Sequence, residues 1–281
     1  MDLPFKQGRL LIFGSLPRFL LEYINQKFHK ISKEFLVVKN LNFFRKATIP
    51  LFLILLSFAI FVYFYAIGHG AVLANANLQN LKTVIIDAGH GGFDGGAVAF
   101  DGTVEKDINL NISQTLAKFL KQNGFRVIMT RESDVSTEDT EDSKISSKKK
   151  SDLKNRLDLM NDYKDAIFVS IHLNKFTTSS AFGSQVFYSK DDRARFLGEK
   201  IQNSIVALIQ PENTRVNKQA TSSTYLLYNA TIPAVLVECG FLSNRQELEK
   251  LKTKEYQNKL SFGIYCGILE YFKEYKDGSQ I

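Results

Sequence analysis

Residues 49–67 read IPLFLILLSFAIFVYFYAI, 19 residues without a charge directly behind Arg45 and Lys46. A run of this length matches the hydrocarbon thickness of a bilayer, and a core helix of a soluble domain would not stay apolar on every face for five turns. The segment is expected to span a membrane, which divides the chain. What folds in water must do so within residues 82–276, behind a tether of small and polar residues at 68–81. Orientation follows from the flank: nine Lys and Arg against three acidic residues in positions 1–46 predict a cytoplasmic front and an extracytoplasmic remainder.

A retained signal-anchor is the first reading, because a secretory signal carries a shorter apolar region near its start. Ala74-Asn75-Ala76 also fits the small-x-small pattern of a cleavage site, so secretion after cleavage behind Ala76 is the alternative. Within the basic segment 1–48, Leu20, Ile24, Phe28, Ile31 and Phe35 recur at spacings of four and three behind Pro17. That spacing predicts a basic amphipathic helix suited to an anionic membrane surface. The overall charge of +7 is concentrated in this front. The exported part is close to neutral, which argues against nucleic acid as a partner.

The exported part alternates two patterns. Short runs rich in Val, Ile and Phe at 83–87, 125–130, 166–172, 184–188 and 234–238 predict buried strands. Between them, Ile108, Ile112, Leu116 and Phe119 mark the apolar face of a helix that stops at Asn123-Gly124, and further helices are expected at 152–163, 192–208 and 254–275. This alternation predicts a single α/β domain with a central, largely parallel sheet flanked by helices on both faces. Residues 134–152 hold an acidic block followed by Lys148, Lys149 and Lys150 with almost no apolar side chains, the composition of a solvated loop.

Four residues carry chemistry. His90 stands among glycines in IIDAGHGGFDGG, just past the first strand, and Glu105 opens the first long helix, where the positive helix end favours a carboxylate. His172 ends the strand AIFVSIH, and Glu238 ends the strand AVLVE. In a parallel sheet these positions converge on the carboxyl edge, where open α/β sheets place their ligands. Two imidazoles and one carboxylate with a fourth position open make a hydrolytic zinc site, in which the metal acidifies a water and polarises a carbonyl. His90, Glu105 and His172 are taken as the zinc ligands, because Glu105 shares a short segment with His90. Glu238, on another strand, is taken as the general acid/base. Taken one at a time, each residue has an ordinary structural role open to it; the site rests on their conjunction. The sequence has no Gly-Lys-Ser/Thr, no G-x-G-x-x-G and no H-E-x-x-H, so nucleotide binding and a helical zinc motif find no support. Cys239 and Cys266 lack metal spacing and are expected as free thiols.

The stretches D-A-G-H-G-G at 87–92, T-V-E-K-D around Glu105, S-I-H-L-N at 170–174 and V-E-C-G-F-L-S-N at 237–244 resemble the zinc-dependent N-acetylmuramoyl-L-alanine amidases. That resemblance implies a peptidoglycan hydrolase cutting the amide between the lactyl group of N-acetylmuramic acid and the first L-alanine of the stem peptide, with water as co-substrate. It also implies zinc on His90, Glu105 and His172, with Glu238 as acid/base. S-Q-V-F-Y-S at 184–189, N-T-R at 213–215 and S-T-Y-L-L at 223–227 resemble the germination-specific subgroup acting on the spore cortex. Ala88 stands where many members have Pro, and the front segment is unusually long. Arg131 and Arg156 are available for stem-peptide carboxylates, unless they are simply solvated. An activating protein partner also stays open. Two rival readings remain: a zinc peptidase or carboxypeptidase cutting within the stem, and a catalytically silent, membrane-anchored wall-binding protein.

Overall fold

A computed structural model describes residues 82–276, together with helical residues at 22, 25–27, 55–58 and 60. The basic segment 1–48, the expected span 49–67, the tether 68–81 and the cleavage position behind Ala76 lie almost wholly outside the described residues. Among the described residues no helix is long and apolar enough to cross a membrane.

The elements follow in the order β1 (Thr83–Ala88), α1 (Glu105–Gln122), β2 (Arg126–Met129), α2 (Ile145–Asn161), β3 (Ala166–Asn174), β4 (Gln185–Tyr188), α3 (Asp192–Leu208), β5 (Lys218–Gln219), α4 (Tyr225–Asn229), β6 (Ala234–Phe241), α5 (Arg245–Leu251) and α6 (Lys254–Lys276). One six-stranded sheet has the order β2-β1-β3-β6-β4-β5. Strands β2, β1, β3 and β6 run parallel, while β4 is antiparallel to β6 and carries β5. The α/β domain with a mostly parallel sheet, expected from the alternating patterns, is the fold observed.

Side chains of a strand alternate between the two faces, and here each face has its own core. Val84, Ile86, Val169, Ile171, Val235 and Val237 face α1, α3 and α6, where Ile112, Leu116, Ile201 and Ile264 are fully buried. Ile85, Phe168 and Ala234 face α2 and α4 through Met160, Leu226 and Leu227. By the same alternation Asp87, Ser170, His172 and Glu238 point to the second face, beyond its apolar layer and toward the carboxyl edge. Cys239 and Cys266 are free thiols, the first buried and the second half-buried.

Two expectations need correction. Residues 134–152 are not one solvated loop: α2 begins at Ile145, so the three consecutive lysines belong to its first turns. The part before α2 is docked rather than free, since Asp152 accepts bonds from both the backbone and the hydroxyl of Thr137, and Asp134 holds Gly92 N–H and Lys106 Nζ. Low apolarity misled here because polar contacts alone anchor this segment. His172 and Glu238 are also not terminal in their strands, which run on to Asn174 and Phe241. Between His172 and Asn174 the register shifts, with one extra residue on β6, and such a bulge re-aims the side chains downstream of it.

Candidate metal centre

His90 sits in the left-handed region at φ 62°, and it is the one non-glycine residue with positive φ among the described residues. Such a conformation costs energy and persists only where neighbours impose it. Here Gly91 and Asp94 exchange two backbone hydrogen bonds, closing a tight turn, and His90 Nδ1 meets Asp94 Oδ2 at 2.8 Å. The turn is held from below by two buried arginines. Arg131 donates to the carbonyls of Ala88, Gly89, Lys106 and Ser133. Arg156 donates to the carbonyls of Ala88 and His90 and pairs with Asp87 and Asp152. Both are almost fully buried, so the expectation that they meet solvent or stem-peptide carboxylates is wrong. Their donors are consumed by carbonyls of the His90 turn and its flanks and, for Arg156, by the carboxylates of Asp87 and Asp152.

Asn109 Nδ2 reaches both the Gly89 carbonyl and Glu105 Oε1, tying this loop to α1. Glu105 is buried at the first position of α1. Its Oε2 accepts from Ala97 N–H at 2.8 Å, and its Oε1 accepts from Leu173 N–H at 3.0 Å. His172 Nδ1 approaches that same Oε1 to 3.0 Å and His90 Nε2 to 3.3 Å. The two rings stand edge to face, with centroids 4.9 Å apart. One ligand atom from each of His90, Glu105 and His172 therefore lies within 4.8 Å of the others. Two imidazole nitrogens and a carboxylate oxygen converging in this way are a donor set suited to zinc.

Burial opposes a charge on His90, but its bonds to Asp94 and Glu105 outweigh burial and raise its pKa to about 9. Glu105 shows the converse: burial would raise its pKa, yet the two histidines hold it far below the ordinary carboxylate range. The two shifts have one origin, the close approach of the imidazoles and the carboxylate.

Glu238 is the direct register partner of His172 across β3 and β6. Its Oε2 is buried with no hydrogen-bond partner in the described structure. Burial pushes its carboxyl up to about 7, with His172 opposing and Glu105 adding to the rise. A buried oxygen left without a partner carries a desolvation cost, which marks a position for a ligand atom or a proton. All four residues singled out in the sequence thus stand on one edge of one sheet.

Sequence reasoning missed Asp94, Asn109 and the structural use of Arg131 and Arg156. Asp94 was within reach: it follows His90 by four residues inside the same glycine-rich turn. Asn109 lies one helical turn after Glu105 and on the same face, a spacing that points back at the carboxylate. Nothing in the local sequence shows that Arg156, 66 residues from His90, supports the same loop.

A largely parallel α/β sheet whose carboxyl edge gathers two histidines and a glutamate, with a second glutamate beside them, defines the class of metal-dependent hydrolases. Residues 84–270 match the model of the N-acetylmuramoyl-L-alanine amidase family, and the chain belongs to that family, whose members hydrolyse peptidoglycan. Among curated relatives, the germination-specific N-acetylmuramoyl-L-alanine amidase of Bacillus subtilis is 35% identical over 201 residues, covering 70% of this chain and 82% of the relative. Among solved structures, the CwlD amidase from Clostridioides difficile in complex with the GerS lipoprotein is 42% identical with a TM-score of 0.66, over 69% of this chain and 99% of that one. An N-acetylmuramoyl-L-alanine amidase from Clostridium difficile 630 is 31% identical with a TM-score of 0.61, over 72% and 100%.

Proposed function

We propose that the chain cleaves the amide between the lactyl group of N-acetylmuramic acid and the L-alanine of the stem peptide, with His90, Glu105 and His172 holding zinc and Glu238 moving the proton. The observation that carries this reading is the convergence of three ligand atoms beside an unpartnered carboxylate oxygen of Glu238. A zinc ion there would supply a Lewis acid for the amide carbonyl and lower the pKa of a coordinated water toward 7. The protein does the rest. The Asp94 carboxylate turns His90 so that Nε2 faces the cluster, and the Ala97, Leu173 and Asn109 N–H groups orient Glu105. A carboxyl group poised near neutrality can take a proton from water and pass it to the departing alanine nitrogen.

The spore cortex is the proposed site of action, supported by the likeness to the germination-specific relative. Residues 49–67 are proposed to anchor the catalytic domain on the extracytoplasmic side of the membrane, unless cleavage behind Ala76 frees it. An activating protein partner belongs to the same reading, since the Clostridioides difficile relative was solved with a lipoprotein. Mass spectrometry of muropeptides digested by the detergent-solubilised chain, with His172→Ala as control, tests the reaction. Release of intact stem peptides supports it; shortened stems would indicate a peptidase, and an unchanged profile a silent binder. Retention of the full chain in alkali-washed membranes tests the anchor.

A further inference from the structure

Arg131 and Arg156, the arginines that the sequence offered for an anionic substrate, are consumed inside the loop. A third arginine, Arg215, stands next to the site across β4. Gln185 is the direct antiparallel partner of Glu238 on β4, with its side chain on the same face by strand alternation. Gln185 Oε1 accepts from Arg215 Nη1 at 3.1 Å, while Gln185 Nε2 donates to the Val216 carbonyl, which fixes the amide on both sides. Arg215 Nε donates to the Phe182 carbonyl at 2.8 Å, and the guanidinium lies over the Phe241 ring, 4.7 Å from its centroid. Phe241 is itself fully buried and edged by Phe176. The guanidinium is thus held in one plane by two hydrogen bonds and an aromatic floor.

Arg215 makes no ion pair among the described residues. The neighbouring buried acid, Glu247, has both oxygens occupied by Gly183 N–H and Phe241 N–H. No acceptor among the described residues engages Arg215 Nη2, and Nη1 has a second N–H beyond the one given to Gln185, so the guanidinium fork keeps N–H groups to offer a carboxylate. A lysine would provide charge without that fork.

We propose that Arg215 binds a free carboxylate of the stem peptide, on the peptide side of the bond that is cut. This rests on the amidase reading above, in which Glu238 serves the nitrogen of the first residue. Adjacent strands lie about 4.8 Å apart, and a glutamine side chain bridges the rest, so the open guanidinium edge is roughly 8–10 Å from Glu238. Extended peptide advances by up to about 3.5 Å per residue, which puts the recognised carboxylate near the second residue of the stem.

The test compares soluble muramyl peptides that differ only in whether that carboxylate is free or amidated, using the zinc-loaded full chain. The unaltered protein should favour the free carboxylate by roughly 10- to 100-fold in kcat/KM, mainly through KM. Arg215→Gln should erase that preference by losing far more on the free substrate than on the amidated one, and Arg215→Lys should restore part of it. Equal rates on both substrates with the unaltered chain would overturn the proposal, as would an equal proportional loss on both in Arg215→Gln. Calorimetric binding of the same two peptides separates this from the amidase reading. If no lactyl amide is cut but the free carboxylate is still bound preferentially, the reaction assignment fails while Arg215 keeps its role; equal binding removes that role.

Discussion

His172 and Glu238 are register partners on adjacent parallel strands, with both side chains on the same face of the sheet. The hydrogen-bond ladder of β3 and β6 therefore fixes the separation between a proposed ligand and the proposed proton carrier without help from any loop. Exchanging Glu238 for Gln keeps the shape and the ladder but removes the basic oxygen. Turnover should fall by about 10²–10⁴-fold while bound zinc, measured on the purified protein, stays at the level of the parent. Loss of zinc together with activity would make Glu238 a ligand instead.

Gly89 separates β1 from the His90 turn, and a Cβ built on it would stand 2.3 Å from both Cε1 and Nε2 of the His172 ring. The ring has to move, because the backbone of Gly89 is pinned by Ile171 and by Arg131. Gly89→Ala should consequently cost at least about tenfold in zinc affinity in a competition titration with a chromophoric chelator. The zinc-free variant should melt close to the zinc-free parent. Equal affinities would show that His172 has room to adapt.

Asp87 and Arg156 form a buried pair, each about 98% or more enclosed, with Ser170 and Thr130 completing the carboxylate's hydrogen bonds. Burial alone would push the Asp87 pKa up; Arg156 and the hydroxyls outweigh it and hold it at about 2, against 3.8 for the free side chain. A lowered carboxylate pKa stabilises the fold above the unfolded value. That contribution, about 2 kcal/mol, should drain away as pH falls from about 4 to about 2. Arg156→Met leaves Asp87 charged and unpaired, and should cost about 3–5 kcal/mol in denaturant unfolding at neutral pH. It should also abolish that acid-range slope if Asp87 is its source.

The parts legible in the sequence are those governed by short-range pattern. The apolar period of Ile108, Ile112 and Leu116 announced α1, and the Val- and Ile-rich runs announced β1, β3 and β6, because fully buried elements leave their periodicity in the chain. That His90, Glu105 and His172 come together was legible because parallel strands carry the chain toward one edge of the sheet, although His172 and Glu238 lie short of their strand ends. What escaped were features set by long-range polar contacts. The first turns of α2 carry lysines and serines instead of an apolar stripe, and its placement depends on pairs such as Arg156 with Asp87, 69 positions apart. The short β5, α4 and α5 are stabilised by their neighbours and have too few residues to show a period. The role of Arg156 could not be separated from surface solvation, since an arginine's sequence neighbours do not report its burial.

Asp94 extends the proposed zinc site outward. Its Oδ2 receives His90 Nδ1, its Oδ1 pairs with Lys149 Nζ at 2.9 Å, and its bond with His90 holds its own carboxyl well below the usual range. A ligand histidine gripped through its other nitrogen is fixed in tautomer and in ring angle, and such outer partners are commonly worth roughly 10- to 100-fold in metal affinity. Asp94→Ala should therefore weaken zinc binding by about that factor even though Asp94 supplies no ligand atom. The loss should appear in a chelator competition before any effect on the reaction is considered. Lys149 is half-exposed and acts only through Asp94, so Lys149→Met should weaken binding by no more than a fewfold, in keeping with the small worth of solvent-screened pairs. If the two variants weakened zinc equally, the first turns of α2 would be holding the site by charge, and the His90–Asp94 bond would not be the element that orients the ligand.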